Sequence, residues 1–202
     1  MPFFAYGQKE IDYLKKKDKK LGAAIERIGF IERETKPDVF TAMVDSIISQ
    51  QISSKAADTV LERLGNLLGD ITAGNIAATE AERIQKCGMT MKKAVYIKSL
   101  AEKVLCGEMD LAELCSLPDD AVIKRLVGLD GIGVWTAEML LLFSLGRPDV
   151  VSYGDLAIRR GMMNLYGLKV LPKAKFDYYR RRYSPYGSVA SLYLWELAVM
   201  KA

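Results

Sequence analysis

The sequence predicts an all-α protein, on three observations. Apolar residues recur at spacings of three and four along most of the chain, and no run alternates apolar and polar between turn signals. The glycine-rich Asp130-Gly131 region is flanked by helical rather than β-rich patterns. Taken in order, Val39, Met43, Ile47 and Ile48 share one helical face. Ala57, Val60, Leu61 and Leu64 share another, behind the candidate caps Ser53 and Ser54. Ala94, Ile97, Leu100, Ala101, Val104 and Leu105 mark a third, long helix. Val122 and Leu126 lie before the glycine-rich break, and Ala137, Leu140, Leu141 and Ser144 after it. Leu192, Trp195, Leu197 and Val199 close the chain. There is no repeat and no low-complexity linker.

Composition narrows the chemistry. A chain of 202 residues, 50% apolar, can bury a core as one domain or two small lobes. The longest apolar run, residues 139–143, is core-sized and far short of a bilayer span. At the N-terminus the charge follows a short apolar patch, the reverse of a signal peptide. A soluble, cytoplasmic protein with no membrane partner is expected. Three cysteines without a CxxC spacing make a disulfide framework or a zinc or iron–sulfur site a poor fit, and inert thiols are expected. The chain has no histidine, which excludes Ser-His-Asp and Cys-His catalysis and leaves acid–base work to Asp, Glu, Lys, Tyr or Cys. The net charge of +4 does not by itself mark a nucleic-acid binder. Two basic runs, Lys15 to Lys20 and Arg180 to Arg182, read as solvated faces.

The most informative stretch is LPDDAVIKRLVGLDGIGVWTAEMLLLFSL, residues 117–145. An amphipathic helix should end near Val127, a tight turn should span 128–133, and a second helix should begin near Val134. Gly131 and Gly133 permit positive φ and close approach of a ligand to the backbone. Amides at the start of the second helix would favour an anion such as a phosphate. On spacing alone the segment fits an ordinary helix corner equally well. LxGIGxWTA between two helices resembles the helix-hairpin-helix of the DNA glycosylase superfamily named for that hairpin and its Gly-Pro-Asp region. Asp130 stands where the family often has proline, and Asp is a competent turn residue.

The resemblance implies two helical lobes flanking a cleft, one about 38–147 and the other about 1–37 with 148–202. It implies phosphate contacts through Gly131, Gly133 and Thr136. It also implies that the hairpin carbonyls of Val127, Leu129 and Ile132 can hold a structural sodium or potassium ion. The family carries an aspartate past the hairpin, opening another helix, and VVSYGDLAIRRG supplies Asp155. Without the hairpin, Asp155 reads as a helix cap. With it, Asp155 reads as the catalytic carboxylate. Breaking a base–sugar bond builds positive charge on the sugar, which a fixed anion stabilises, and the carboxylate can also orient the attacking water. No metal or organic cofactor is required.

The resemblance extends to the substrate. Relatives that also nick the strand carry a Schiff-base lysine just after the hairpin; Trp135 occupies that position, so a monofunctional enzyme is expected. In the alkylbase (3-methyladenine) branch a tryptophan there stacks on the flipped base. On composition alone Trp135 would be a core residue. Tyr186 matches a second aromatic of that branch, and Gly187 replaces its usual arginine. SIISQQISSKAA, residues 46–57, resembles the turn that enters the minor groove, with Gln51 as the wedge and a polar loop residue as the alternative. The four-cysteine cluster of the endonuclease III branch is missing. The expectation is a monomeric glycosylase removing alkylated purines from double-stranded DNA. The alternatives are a glycosylase for oxidised or deaminated bases and a non-catalytic hairpin DNA-binding module.

Overall fold

The computed structural model describes residues 2–200. Its helices, in chain order, are α1 (Gln8–Lys17), α2 (Lys19–Ile28), α3 (Val39–Ser49), α4 (Ser54–Leu68), α5 (Ala73–Ala77), α6 (Ala81–Gln85), α7 (Met91–Leu105), α8 (Asp119–Val127), α9 (Val134–Phe143), α10 (Leu156–Tyr166), α11 (Lys173–Tyr183) and α12 (Gly187–Val199). Among the described residues the only extended pairing is one antiparallel bridge, Phe3 with Glu34. The all-α expectation holds. None of these helices is long and apolar enough to cross a membrane. The three cysteines form no disulfide.

The chain divides into two compact units, Met1–Thr35 with Leu141–Ala202, and Lys36–Leu140. In the second, side-chain caps start the helices as local chemistry dictates. The side chains of Asp38, Ser53 and Thr90 accept the amides of the third residues of α3, α4 and α7, those of Thr41, Ala56 and Lys93. Met43, Ile47, Leu64, Ile97 and Leu126 are fully buried, so the apolar faces read from spacing are the faces that form this unit's core.

The first unit is built around α12, which is buried over most of its length. α10 packs against it so closely that a Cβ on Gly161 would fall 1.9 Å from the Leu194 carbonyl oxygen. The segment before α10 is pinned to α12 as well. Ser188 Oγ accepts the Val150 N–H at 3.0 Å, and Ser191 Oγ donates to the Val150 carbonyl at 2.8 Å. These bonds satisfy backbone groups that burial would otherwise leave unpaired.

Three helices of this unit, α1, α2 and α11, are absent from the periodicity reading; α2 buries Leu21, Gly22, Ala24 and Ile25 just behind the lysine run, whereas the other two bury few residues. α1 buries only Ile11 and Leu14, and α11 only Phe176 and Tyr183. The basic runs are also not simply solvated. Asp18 interrupts the lysine run, caps α2 and is 3% exposed. Its carboxylate accepts from the amides of Lys20 and Leu21, from Tyr166 Oη at 2.6 Å and from Arg182 Nη1 at 3.0 Å. Arg180 donates to the Asp149 carbonyl at 3.1 Å. Two of the three arginines in the second run are therefore tied into the fold, which corrects the expectation of a bare charged face.

Candidate functional site

The hairpin forms as its sequence requires. α8 ends at Val127 and α9 begins at Val134. Between them the Leu129 amide donates to Leu126 and the Ile132 amide to Leu129, at 3.0 and 3.2 Å. Gly131 has φ +82°, a conformation that favours glycine, and a Cβ there would lie 2.7 Å from the Tyr96 ring. Gly133 differs from the expectation: it does not use positive φ, and a Cβ there meets nothing within 4 Å. Its smallness is not required by the free protein's own packing. The carbonyl of Leu129 lies inside the turn and already accepts the Ile132 amide. Val127, Leu129 and Ile132 supply neutral carbonyl oxygens, the donor type that hard monovalent cations take.

Beside the hairpin, in the same unit, lies a depression of about 570 Å³. Trp135, Thr136 and Met139 of α9 line one side, and Asp45, Ser49, Gln50 and Gln51 the other. Trp135 is 49% exposed, so it is not a core residue but an aromatic surface presented to the depression. Thr136 is buried, leaving little of its hydroxyl to reach outward. Asp45 is the one ionisable residue in the lining. It accepts from Ser49 Oγ at 3.1 Å and pairs with Lys36. Gln51 sits exposed at the turn between α3 and α4 and has φ +58°, the only non-glycine positive φ among the described residues. Such a conformation costs about 1 kcal/mol and persists only where surrounding structure imposes it.

Asp155 belongs to the other unit. It is the N-cap of α10, and its Oδ1 accepts the amides of Ala157 and Ile158 at 2.8 and 2.9 Å. Its exposure is 7%. The capping role read from sequence is thus present, and it fixes a carboxylate at the positive end of a helix. Tyr186, also in this unit, caps α12 through its backbone and meets the Tyr13 ring edge-on at 5.1 Å. Gly187 has a structural reason of its own. A Cβ would fall 2.5 Å from Asp149 Oδ1 and 2.7 Å from Val151, so an arginine cannot stand there without moving that segment.

The structure brings Gln51, Trp135 and Thr136 around one depression and places the hairpin glycines beside it. Sequence reasoning missed Gln50, Tyr96, Asp45 and Lys93, whose Nζ donates to the Ile48 and Gln50 carbonyls. Gln50 could have been noticed as the neighbour of Gln51 in SQQ. Lys93 and Tyr96 carry no local signal, since their partners lie on other elements.

Comparison with known proteins identifies the fold family. Residues 44–181 match the HhH-GPD superfamily of base excision DNA repair proteins. A curated relative, the DNA-3-methyladenine glycosylase 1 of Schizosaccharomyces pombe, is 33% identical over 169 residues, covering 80% of this chain and 73% of its own length. Among solved structures, a DNA-3-methyladenine glycosidase from Bacillus halodurans superposes with a TM-score of 0.90 at 35% identity, covering 99% of this chain and 94% of that one. A 3-methyladenine DNA glycosylase of Schizosaccharomyces pombe in complex with abasic DNA superposes with a TM-score of 0.80 at 30% identity, covering 94% and 96%.

Proposed function

The chain belongs to the HhH-GPD superfamily of base excision DNA repair proteins, and from that premise we propose that it is a monofunctional DNA glycosylase that removes alkylated purines of the 3-methyladenine type from duplex DNA. The observation that carries the mechanism is Asp155, a carboxylate 7% exposed and held by two amide bonds. In this reading the hairpin grips a phosphate, Gln51 fills the stack, and Trp135 receives the flipped base. Asp155 then stabilises the positive charge that develops on the sugar and orients water for attack. An alkylated purine is electron-poor and often cationic, so the exposed indole attracts it by roughly 0.5–2 kcal/mol. The base is already a good leaving group, and the residues named supply the remaining chemistry without a cofactor. The carbonyls of Val127, Leu129 and Ile132 would hold a sodium or potassium ion, whose charge would add to the phosphate grip. One chain supplies every residue that the reaction uses, so the enzyme is expected to act as a monomer.

The direct test is release of free methylated purine from methylated duplex DNA. Binding without any release would replace this reading with that of a DNA-binding module. Release of oxidised or deaminated bases alone would move the substrate class. No lysine stands where Trp135 does, so borohydride should trap no covalent adduct on damaged DNA. A trapped complex, or strand nicking without added base or heat, would contradict the monofunctional assignment.

The two hairpin glycines make different tests. A Gly131 variant strains the turn and strikes Tyr96, so it reports on folding. A Cβ on Gly133 meets free space in the protein, so Gly133→Val should leave the turn in place and obstruct the approach of a phosphate. Loss of one such contact should weaken binding to undamaged duplexes of any sequence by about tenfold. Unchanged affinity by fluorescence anisotropy would mean that the hairpin does not hold the backbone.

A further inference from the structure

The first two turns of α7 reach both of the turns that the proposed function sets against DNA. Lys93 Nζ donates to the carbonyls of Ile48 and Gln50, at 2.8 and 2.6 Å. These carbonyls end α3, where no further turn exists to donate to them and where the helix dipole favours a cation. The Gln50 carbonyl belongs to the peptide that leads into Gln51. The lysine therefore fixes the orientation of the peptide preceding the one residue with a strained φ of +58°. Within the turn itself the only backbone bond is weak, Ile52 N–H to Ser49 at 3.5 Å.

The side chain of Gln50 points the other way, and its Nε2 donates to the Gly131 carbonyl at 2.6 Å. One turn along α7, the Tyr96 ring packs against Gly131, with the Lys92 ammonium 5.6 Å from its centroid. Lys93 is partly buried, and that burial pulls its pKa down. A desolvated ammonium satisfied by two carbonyls is a strong, short-range tie rather than a solvated charge.

We propose that Lys93 and Gln50 form a clamp that holds the Gln51 turn and the glycine hairpin as one rigid body, so that gripping the phosphate sets the plug at the depth needed to fill the stack. Lys93 is a positioning residue: it acts through Gln51 and touches neither base nor sugar. The clamp rests on the reading of Gln51 as the wedge. It predicts a specific failure when broken. The turn relaxes, the flipped state loses its support, and bond cleavage itself is untouched.

The test is single-turnover excision of one site-specific alkylated purine, paired or mispaired, with 2-aminopurine beside the lesion to report flipping. Gln51→Ala should slow excision of the paired lesion and lower the 2-aminopurine signal, because alanine cannot fill the vacated stack. The defect should shrink in the mispaired duplex, where flipping costs less. Lys93→Met keeps the stem and removes both donors. It should reproduce that pattern, with about a tenfold loss on the paired lesion, and add nothing in the Gln51→Ala background. Gln50→Met, which removes the donor to the Gly131 carbonyl and adds no charge, should follow the same pattern and serves if Lys93→Met melts early. A Gln51→Ala defect with normal Lys93→Met and Gln50→Met overturns the clamp alone. Equal losses in both duplexes, or additive losses in the double variant, overturn it too. A Gln51→Ala enzyme without any paired-specific defect overturns the wedge reading, and the clamp with it.

Discussion

Asp155→Asn is expected to remove base excision while leaving the fold and DNA binding intact. The structure sharpens this expectation, because Asp155 has two separable roles. Its Oδ1 caps α10 through the amides of Ala157 and Ile158. Asparagine caps a helix about as well as aspartate, so the helix should remain anchored and stability should change by less than about 1 kcal/mol. The charge, by contrast, is lost outright. A fixed anion about 4 Å from a developing cation, at an effective dielectric near 20, contributes roughly 4 kcal/mol. That corresponds to a drop on the order of a thousandfold in the single-turnover rate. Unlike a plug variant, Asp155→Asn should show no rescue in a mispaired duplex, since it acts on cleavage. Asp155→Ala should lose the rate and also about 1 kcal/mol of stability as the cap disappears. Near wild-type excision by a pure, folded Asp155→Asn sample would remove the residue from the mechanism.

The largest effect on stability should come from a residue remote from this chemistry. Asp18→Asn is expected to lower stability at neutral pH by about 2 kcal/mol, below the roughly 3–5 kcal/mol for breaking a fully buried ion pair because the Arg182 side chain is partly exposed. The new amide would put N–H groups against Tyr166 and Arg182, which already donate to this position. For a chain of this size the loss should lower Tm by about 4–8 °C. Burial pushes the Asp18 carboxyl up, but hydrogen bonds from Tyr166, the Leu21 amide and Arg182 outweigh it and hold the group below the usual carboxylate value. A depressed folded pKa means stability that is fully present above the unfolded value, near 3.9, and lost as pH falls through the folded value. The gap in Tm between wild type and Asp18→Asn should therefore be constant from pH 5 to 7 and close as pH drops below about 4. A gap independent of pH down to acid unfolding would mean that the charge is not what stabilises this network.

These two aspartates show what a sequence can disclose. Both are helix caps, and both occur in stretches that read as polar. Asp155 was legible as a cap because its context is local, a helix opening on LAIRRG, and its place past a hairpin resembling that of the glycosylase superfamily added the catalytic reading. The same holds for α3, α4, α7 and α8, whose apolar spacing states the buried face directly, while α9 and α12 are apolar almost all round and announce only that they are buried. Asp18 was not legible. Its partner Arg182 lies 164 residues away, and nothing near either residue announces the pairing.

What the sequence determined by itself is everything set by neighbours along the chain: the helical class, the hairpin between Val127 and Val134, the cap at Asp155, and the exclusion of histidine chemistry. Only the tertiary structure decided the rest. It tied part of the arginine run into the first unit and filled with Asp149 and Val151 the space where an arginine side chain at Gly187 would begin. It also recruited Lys93 to hold the carbonyl before Gln51. The physical reason is range. Backbone preference and amphipathic period act within a few residues and leave their mark in local spacing. A buried charge or a close backbone approach depends on which groups packing brings within about 3 Å, and those groups can stand anywhere in the chain.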